Sequence, residues 1–123
     1  KEQVAAWEAE VKERFGAEKL DESKRNINSM KKEKLEALKK EGEEISKALV
    51  LLIGTDVGDE KVQALIHRHY SMIQQFYSCP IDLYSKIGEL YVNDERYKAH
   101  YDAYHEQLAD FLHRGIEVYC GRH

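Results

Sequence analysis

The chain has 123 residues, with 19 lysines and arginines against 23 aspartates and glutamates. The acidic balance holds in both halves, 12 basic residues against 15 acids in residues 1–60 and 7 against 8 in residues 61–123, so no Lys/Arg stripe is present to grip nucleic acid. One domain of this length buries roughly two-thirds of the surface of its unfolded chain; the absence of a run of about 18 apolar residues and of a charged-then-apolar leader disfavours membrane spanning and secretion and points to the cytoplasm.

Punctuation is sparse. Pro80 is the single proline, and Gly54, Thr55, Asp56, Gly58 and Asp59 form the main turn cluster. Strand-like alternation is missing, so the expected fold is all-α. Val4, Trp7, Val11 and Phe15 recur at spacings of three and four and predict a short amphipathic helix closed by Gly16. A second helix is predicted from a cap at Asp21 or Ser23 to about Ile53, stopped by Gly54. Along it Leu35, Leu38, Ile45, Leu49 and Leu52 occupy a heptad seam that Asn28, Lys31 and Gly42 weaken. Its apolar C-terminal half is expected to pack into the domain and its charged N-terminal half to face solvent; a dimerising coiled coil is the competing reading.

A third helix is predicted from Asp59 or Glu60 to about Tyr77, with Val62, Leu65, Ile66, His69, Ile73 and Phe76 on one face. Cys79-Pro80 breaks it, and Pro80 suits the first position of a fourth helix carrying Leu83, Tyr84, Ile87, Leu90 and Tyr91 inward. Asn93 or Asp94 caps a short helix with Tyr97 and Tyr101, and a last helix places Leu108, Phe111, Leu112, Ile116 and Tyr119 on one side. Tyr70, Tyr77, Tyr84 and Tyr91 fall seven apart, but a proline inside a helix removes a hydrogen bond and clashes with the preceding turn, so Pro80 divides this ladder between two helices.

All eight tyrosines lie between Tyr70 and Tyr119. Polar-tipped rings in that number suit the walls of a pocket for a bulky apolar guest. Tyr91, Tyr97 and Tyr119, among aliphatic neighbours, read as core rings. Tyr70, Tyr77, Tyr84, Tyr101 and Tyr104 lie at the edges of their stripes, where a ring can line a cleft. Trp7 and Phe15 fit either docking on the core or a cover pressing on a ligand. His69 is either a hydrogen-bonded core histidine or a cleft residue that bonds a ligand. Cys79, at the expected cap of a helix, is either a buried capping thiol or, with its pKa lowered by the helix N-terminus, a reactive capture site. No metal or cofactor is expected: His67 and His69 are two apart and no Cys/His cluster has ligand spacing.

Three stretches carry a family resemblance: Gln63-Ala64-Leu65-Ile66 with His69-Tyr70 and Phe76-Tyr77; Gly88-Glu89-Leu90-Tyr91-Val92-Asn93-Asp94-Glu95-Arg96-Tyr97; and Leu108-Ala109-Asp110-Phe111-Leu112 with Ile116 and Tyr119. The chain resembles the TipAS antibiotic-recognition domain, the effector-binding part of certain MerR-family transcription activators. The resemblance implies a globin-like helical domain over residues 1–123, in which residues 59–120 form the core of a ligand cleft and residues 1–58 supply lid helices and the long helix. It implies binding of a bulky, largely apolar antibiotic, no catalysis, contact with DNA through an upstream domain absent here, and homodimerisation through a coiled coil also absent here. The chain opens on Lys1 with no initiator methionine, and further parts are expected upstream. Where thiopeptide-capturing members carry a reactive cysteine, this chain has Lys86, ahead of Ile87-Gly88. The competing readings are a small helical haem or thiol sensor or enzyme using His69 or Cys79, and a helical protein-interaction module using the long helix.

Overall fold

A computed structural model describes residues 17–123 and contains six helices among them: α1 (Ala17–Ser29), α2 (Lys32–Leu52), α3 (Glu60–Gln74), α4 (Ile81–Asn93), α5 (Glu95–Asp102) and α6 (Leu108–Arg122). The short helix expected over Val4 to Phe15 lies outside the described residues. Among the described residues the extended pairing is limited to one isolated bridge, Ile53 with Thr55, and the all-α expectation holds.

The single long helix expected from Asp21 or Ser23 to Ile53 is instead two. Asn26, Asn28 and Ser29 are weak helix formers whose side chains compete for backbone groups. Ser29 Oγ donates to the Asn26 carbonyl at 2.9 Å, and Met30 N–H closes a tight turn on the Ile27 carbonyl at 3.1 Å. Lys31 then adopts an extended conformation (φ −69°, ψ 153°) and opens α2. Gly54 ends the turn after α2 with φ 100°, a left-handed geometry that suits glycine alone among common residues.

The later boundaries follow their caps. Asp59 accepts from Lys61 N–H at 2.9 Å at the start of α3, and Asp94 accepts from Arg96 N–H at 2.9 Å at the start of α5. Helix α3 ends at Gln74, three residues before Tyr77, because Gln75 and Phe76 N–H turn to the Met72 and Ile73 carbonyls. Pro80 (φ −62°, ψ 161°) is the residue before α4 and not its first. Tyr77 therefore belongs to the connection, and the tyrosine ladder is divided as Pro80 requires.

The core gathers Ile45 and Leu49 of α2, Val62, Ile66 and Ile73 of α3, Tyr84 and Ile87 of α4, and Leu108, Phe111, Leu112 and Ile116 of α6, all buried. Each such side chain contributes about 1.5–3 kcal/mol on leaving water. Helices α4 and α3 approach α6 closely at two glycines. A methyl group at Gly88 would stand 3.0 Å from Ile116 Cγ2, and one at Gly115 would stand 3.0 Å from Ile66 Cδ1.

Helix α1 is attached differently, by polar clasps to the α3–α4 connection. Glu22 Oε2 accepts from Ser78 N–H at 2.8 Å and from Ser78 Oγ at 2.9 Å. Lys19 Nζ donates to the Ser78 carbonyl at 2.7 Å, and Asn26 Nδ2 donates to the Phe76 carbonyl at 2.7 Å. The Ser78 backbone N–H is the main cause holding the Glu22 carboxyl below its ordinary range.

Candidate functional site

A cleft of about 510 Å³ opens between α2 and α5, over the C-terminal half of α3. That volume falls within the range of small-molecule sites. Three helical stripes make it. Leu35, Leu38, Gly42 and Ser46 step along α2 at spacings of three and four; His69, Met72, Ile73 and Phe76 do so along the end of α3 and just beyond it. Tyr97, His100, Tyr101 and Tyr104 form the opposite wall, Ile27 reaches in from α1, and Tyr91 comes from the end of α4. An aliphatic and thioether side thus faces an aromatic side. The charged lining residues Lys39, Glu43 and Arg96 are exposed.

Polar atoms line the deepest part. His69 is 2% exposed and Tyr91 is 4% exposed. His69 Nδ1 lies 2.8 Å from Tyr84 Oη, which lies 3.3 Å from the Ile66 carbonyl oxygen. Tyr91 Oη lies 3.4 Å from His69 Nε2. Burial pushes the His69 pKa down from 6.5 to about 4, so the ring is neutral near pH 7. Burial likewise raises the Tyr101 phenol to about 12 and carries Tyr91 well above its ordinary value. The Tyr97 hydroxyl is buried without a hydrogen-bond partner among the described residues.

Of the residues singled out from sequence, His69, Tyr101 and Tyr104 meet on this cleft. His69 is a hydrogen-bonded core histidine that also lines the cleft. Tyr70, Tyr77 and Tyr84 stand elsewhere. Tyr84 is fully buried beneath His69, and Tyr77 is 1% exposed in the α3–α4 connection. Tyr70 packs its ring 4.7 Å from that of Tyr84 and donates its hydroxyl to the Cys79 carbonyl. Trp7 and Phe15 lie outside the described residues.

Cys79 is a buried thiol, without the lowered pKa of its reactive reading. It sits one residue before the cap of α4, and its side chain is 2% exposed. Burial pushes its pKa from 9.0 up to about 12, so desolvation outweighs any help from the helix terminus. Its main chain is fixed instead: N–H donates to Gln74 Oε1 at 2.9 Å, and the carbonyl accepts from Gln74 Nε2 at 2.6 Å as well as from Tyr70.

Sequence reasoning missed Leu35, Leu38, Gly42, Met72, Tyr91, Tyr97 and His100 as cleft residues. A signal was present on α2, where Leu35, Leu38, Gly42 and Ser46 fall on one face and run from large to small. Gly42, read as a weak position in a heptad seam, leaves space that a larger side chain would fill; a methyl group there would sit 3.4 Å from Met72 Sδ. Among the described residues no three His, Cys, Asp or Glu side chains gather to hold a metal ion. No described helix is long and apolar enough to cross a membrane.

Comparison with known proteins agrees with this architecture. Residues 7–119 match the family described as the TipAS antibiotic-recognition domain. The chain is 27% identical over 112 residues to the HTH-type transcriptional activator mta of Bacillus subtilis, covering 90% of this chain and 44% of that protein. It is 29% identical over 121 residues to the HTH-type transcriptional activator TipA of Streptomyces coelicolor, covering 95% of this chain and 48% of that protein. The chain therefore spans about half the length of these relatives. A solved structure of TipAS in complex with nosiheptide, from a thiopeptide antibiotic multidrug resistance system of Streptomyces lividans, superposes with a TM-score of 0.84 at 28% identity, covering 97% of this chain and 86% of that one. The globin-like helical arrangement is the one this chain adopts.

Proposed function

This chain belongs to the TipAS antibiotic-recognition domain family, and we propose that it is the drug-sensing part of a longer MerR-type transcriptional activator, binding a bulky, largely apolar antibiotic in the cleft between α2 and α5. The observation that carries this reading is the cleft itself: about 510 Å³, with aliphatic side chains on one wall and tyrosines on the other. Apolar burial supplies affinity there, and the few polar groups at the floor orient the guest. Helix α2 acts as one unit with the core and forms a wall of the cleft, and α1 acts as its cover. That cover is held by hydrogen bonds to Ser78 and Phe76, an attachment that water can replace at small cost, so a ligand touching Ile27 shifts α1 towards its docked position. Upstream segments would carry this ordering to a DNA-binding domain and a dimerising coiled coil.

The reading is one of binding without catalysis. Both ring nitrogens of His69 are occupied by tyrosine hydroxyls, and the Cys79 thiol is kept protonated by burial, so neither group is poised to attack or to take a proton from a substrate. Capture is non-covalent, because Lys86 stands where the capturing cysteine is expected and Cys79 is inaccessible. Titration calorimetry with nosiheptide tests this reading, with the intact chain and with Leu38→Arg. The intact chain is expected to bind, and the variant, with an unpaired charge in the apolar wall, to bind at least about tenfold more weakly. No binding by the intact chain, or equal binding by the variant, would refute it.

A further inference from the structure

The floor of the cleft ends in a row that starts at a carbonyl acceptor and continues through hydroxyls and an imidazole, which can both give and take a hydrogen bond. From the interior outwards it runs from the Ile66 carbonyl to Tyr84 Oη at 3.3 Å, to His69 Nδ1 at 2.8 Å, across the ring to Nε2, and to Tyr91 Oη at 3.4 Å. The Tyr101 ring packs beside that of Tyr91, with the centroids 4.8 Å apart. Both Tyr91 and Tyr101 line the cleft.

A neutral imidazole has one N–H, so one ring nitrogen donates and the other accepts. The row then has two proton orders. In the first, Tyr84 donates to the Ile66 carbonyl, His69 Nδ1–H donates to Tyr84, and Tyr91 donates to Nε2. The Tyr91 oxygen then offers a ligand its lone pairs. In the second, Tyr84 donates to Nδ1, Nε2–H donates to Tyr91, and the Tyr91 O–H is free to donate. The same three protons serve both orders. Passing from one to the other takes a proton off Nδ1 and places one on Nε2, with water as the carrier, and turns the hydroxyl hydrogens while the heavy atoms stay in place.

What separates the two orders is the bond from Tyr84 to Ile66. At 3.3 Å it is longer than usual for an O–H donor, and it goes to a carbonyl that already accepts within helix α3. Its loss is a small one, so a ligand can select either order. We infer that this row makes the cleft amphoteric: at the Tyr91 hydroxyl it meets a ligand's hydrogen-bond donor or acceptor equally well by reversing its proton order. The ligand class that follows is flat apolar compounds carrying one polar group of either kind. The inference rests on the reading of the cleft as a drug site.

Two flat two-ring probes separate the orders: indole, whose N–H donates, and quinoline, whose ring nitrogen accepts. The measurement is the nitrogen-15 spectrum of the His69 ring in histidine-labelled chain, which distinguishes Nδ1–H from Nε2–H. Indole is expected to fix the Nδ1–H form and quinoline the Nε2–H form. In Tyr91→Phe, which cuts the row, the His69 form is expected to be the same with either probe. One form with both probes in the intact chain, no response of His69 to either probe, or a probe-dependent form that survives in Tyr91→Phe overturns the inference. A chain that binds nosiheptide but keeps one His69 form with both probes loses the amphoteric row and keeps its drug site; a chain that binds no nosiheptide loses the drug site itself.

Discussion

Lowering the pH from 8 to 5 is expected to destabilise the protein through His69. In the unfolded chain this imidazole titrates near 6.5, and in the folded chain burial holds it to about 4. Between those values the unfolded state binds the extra proton, so stability is full above 6.5 and falls as pH drops towards 4. Each tenfold change in proton affinity is worth about 1.4 kcal/mol. The loss is therefore about 2 kcal/mol at pH 5 and about 3 kcal/mol below pH 4. His100 is also lowered by burial and adds in the same direction. Glu22, Glu41 and Asp102 are held below their ordinary values and act at still lower pH. Urea unfolding followed by helical circular dichroism gives the assay, comparing the intact chain with His69→Gln, which keeps a polar group in place but does not titrate. With a slope of about 1–2 kcal/mol per molar urea, the intact chain should lose about 1 M or more in its midpoint between pH 7 and pH 5 beyond the loss in the variant. Equal pH dependence in the two proteins would refute the burial and neutrality argued for His69.

Four substitutions test other parts of the structure. Gly88→Ala places a methyl 3.0 Å from a β-branched isoleucine, and the overpacking is expected to exceed the gain of about 1 kcal/mol in helix propensity, so the melting temperature falls. Tyr97→Phe removes a buried hydroxyl that has no partner among the described residues; stability in urea is expected to hold or to rise by up to about 1 kcal/mol. Asp94→Ala deletes the α5 cap and its contact with Arg96, with an expected cost of about 1–2 kcal/mol in the same assay. Glu22→Gln weakens the grip on Ser78, and amide exchange in residues 17–29 should speed up while exchange in α6 stays unchanged.

Helix existence and type were legible in the sequence because apolar spacing, Asp59, Pro80, Asp94 and Gly54 all act locally. The break at Met30 was harder to see because Asn26, Asn28 and Ser29 interrupt the helix with no glycine or proline, and Asn26 spends its side chain on the distant Phe76 carbonyl. The division of the tyrosines between core and cleft depended on more than periodicity. Spacing shows which face of a helix carries a ring, yet Tyr84 and Tyr91 share the inner face of α4 and meet different neighbours. Tyr84 lies under His69, while Tyr91 lies beside Tyr101 at the cleft. Cys79 shows the same limit in electrostatic form, since the local helix terminus argued for a low pKa and burial by remote segments reversed it.

An antibiotic held between α2 and α5 beneath α1 should slow the exchange of the backbone amides it covers, which hydrogen exchange of the chain with and without nosiheptide measures. The expected result is slower exchange in α1, in the first half of α2 and in α5, with little change in α6. Binding that leaves those three segments unprotected, or protection confined to α6, would contradict it.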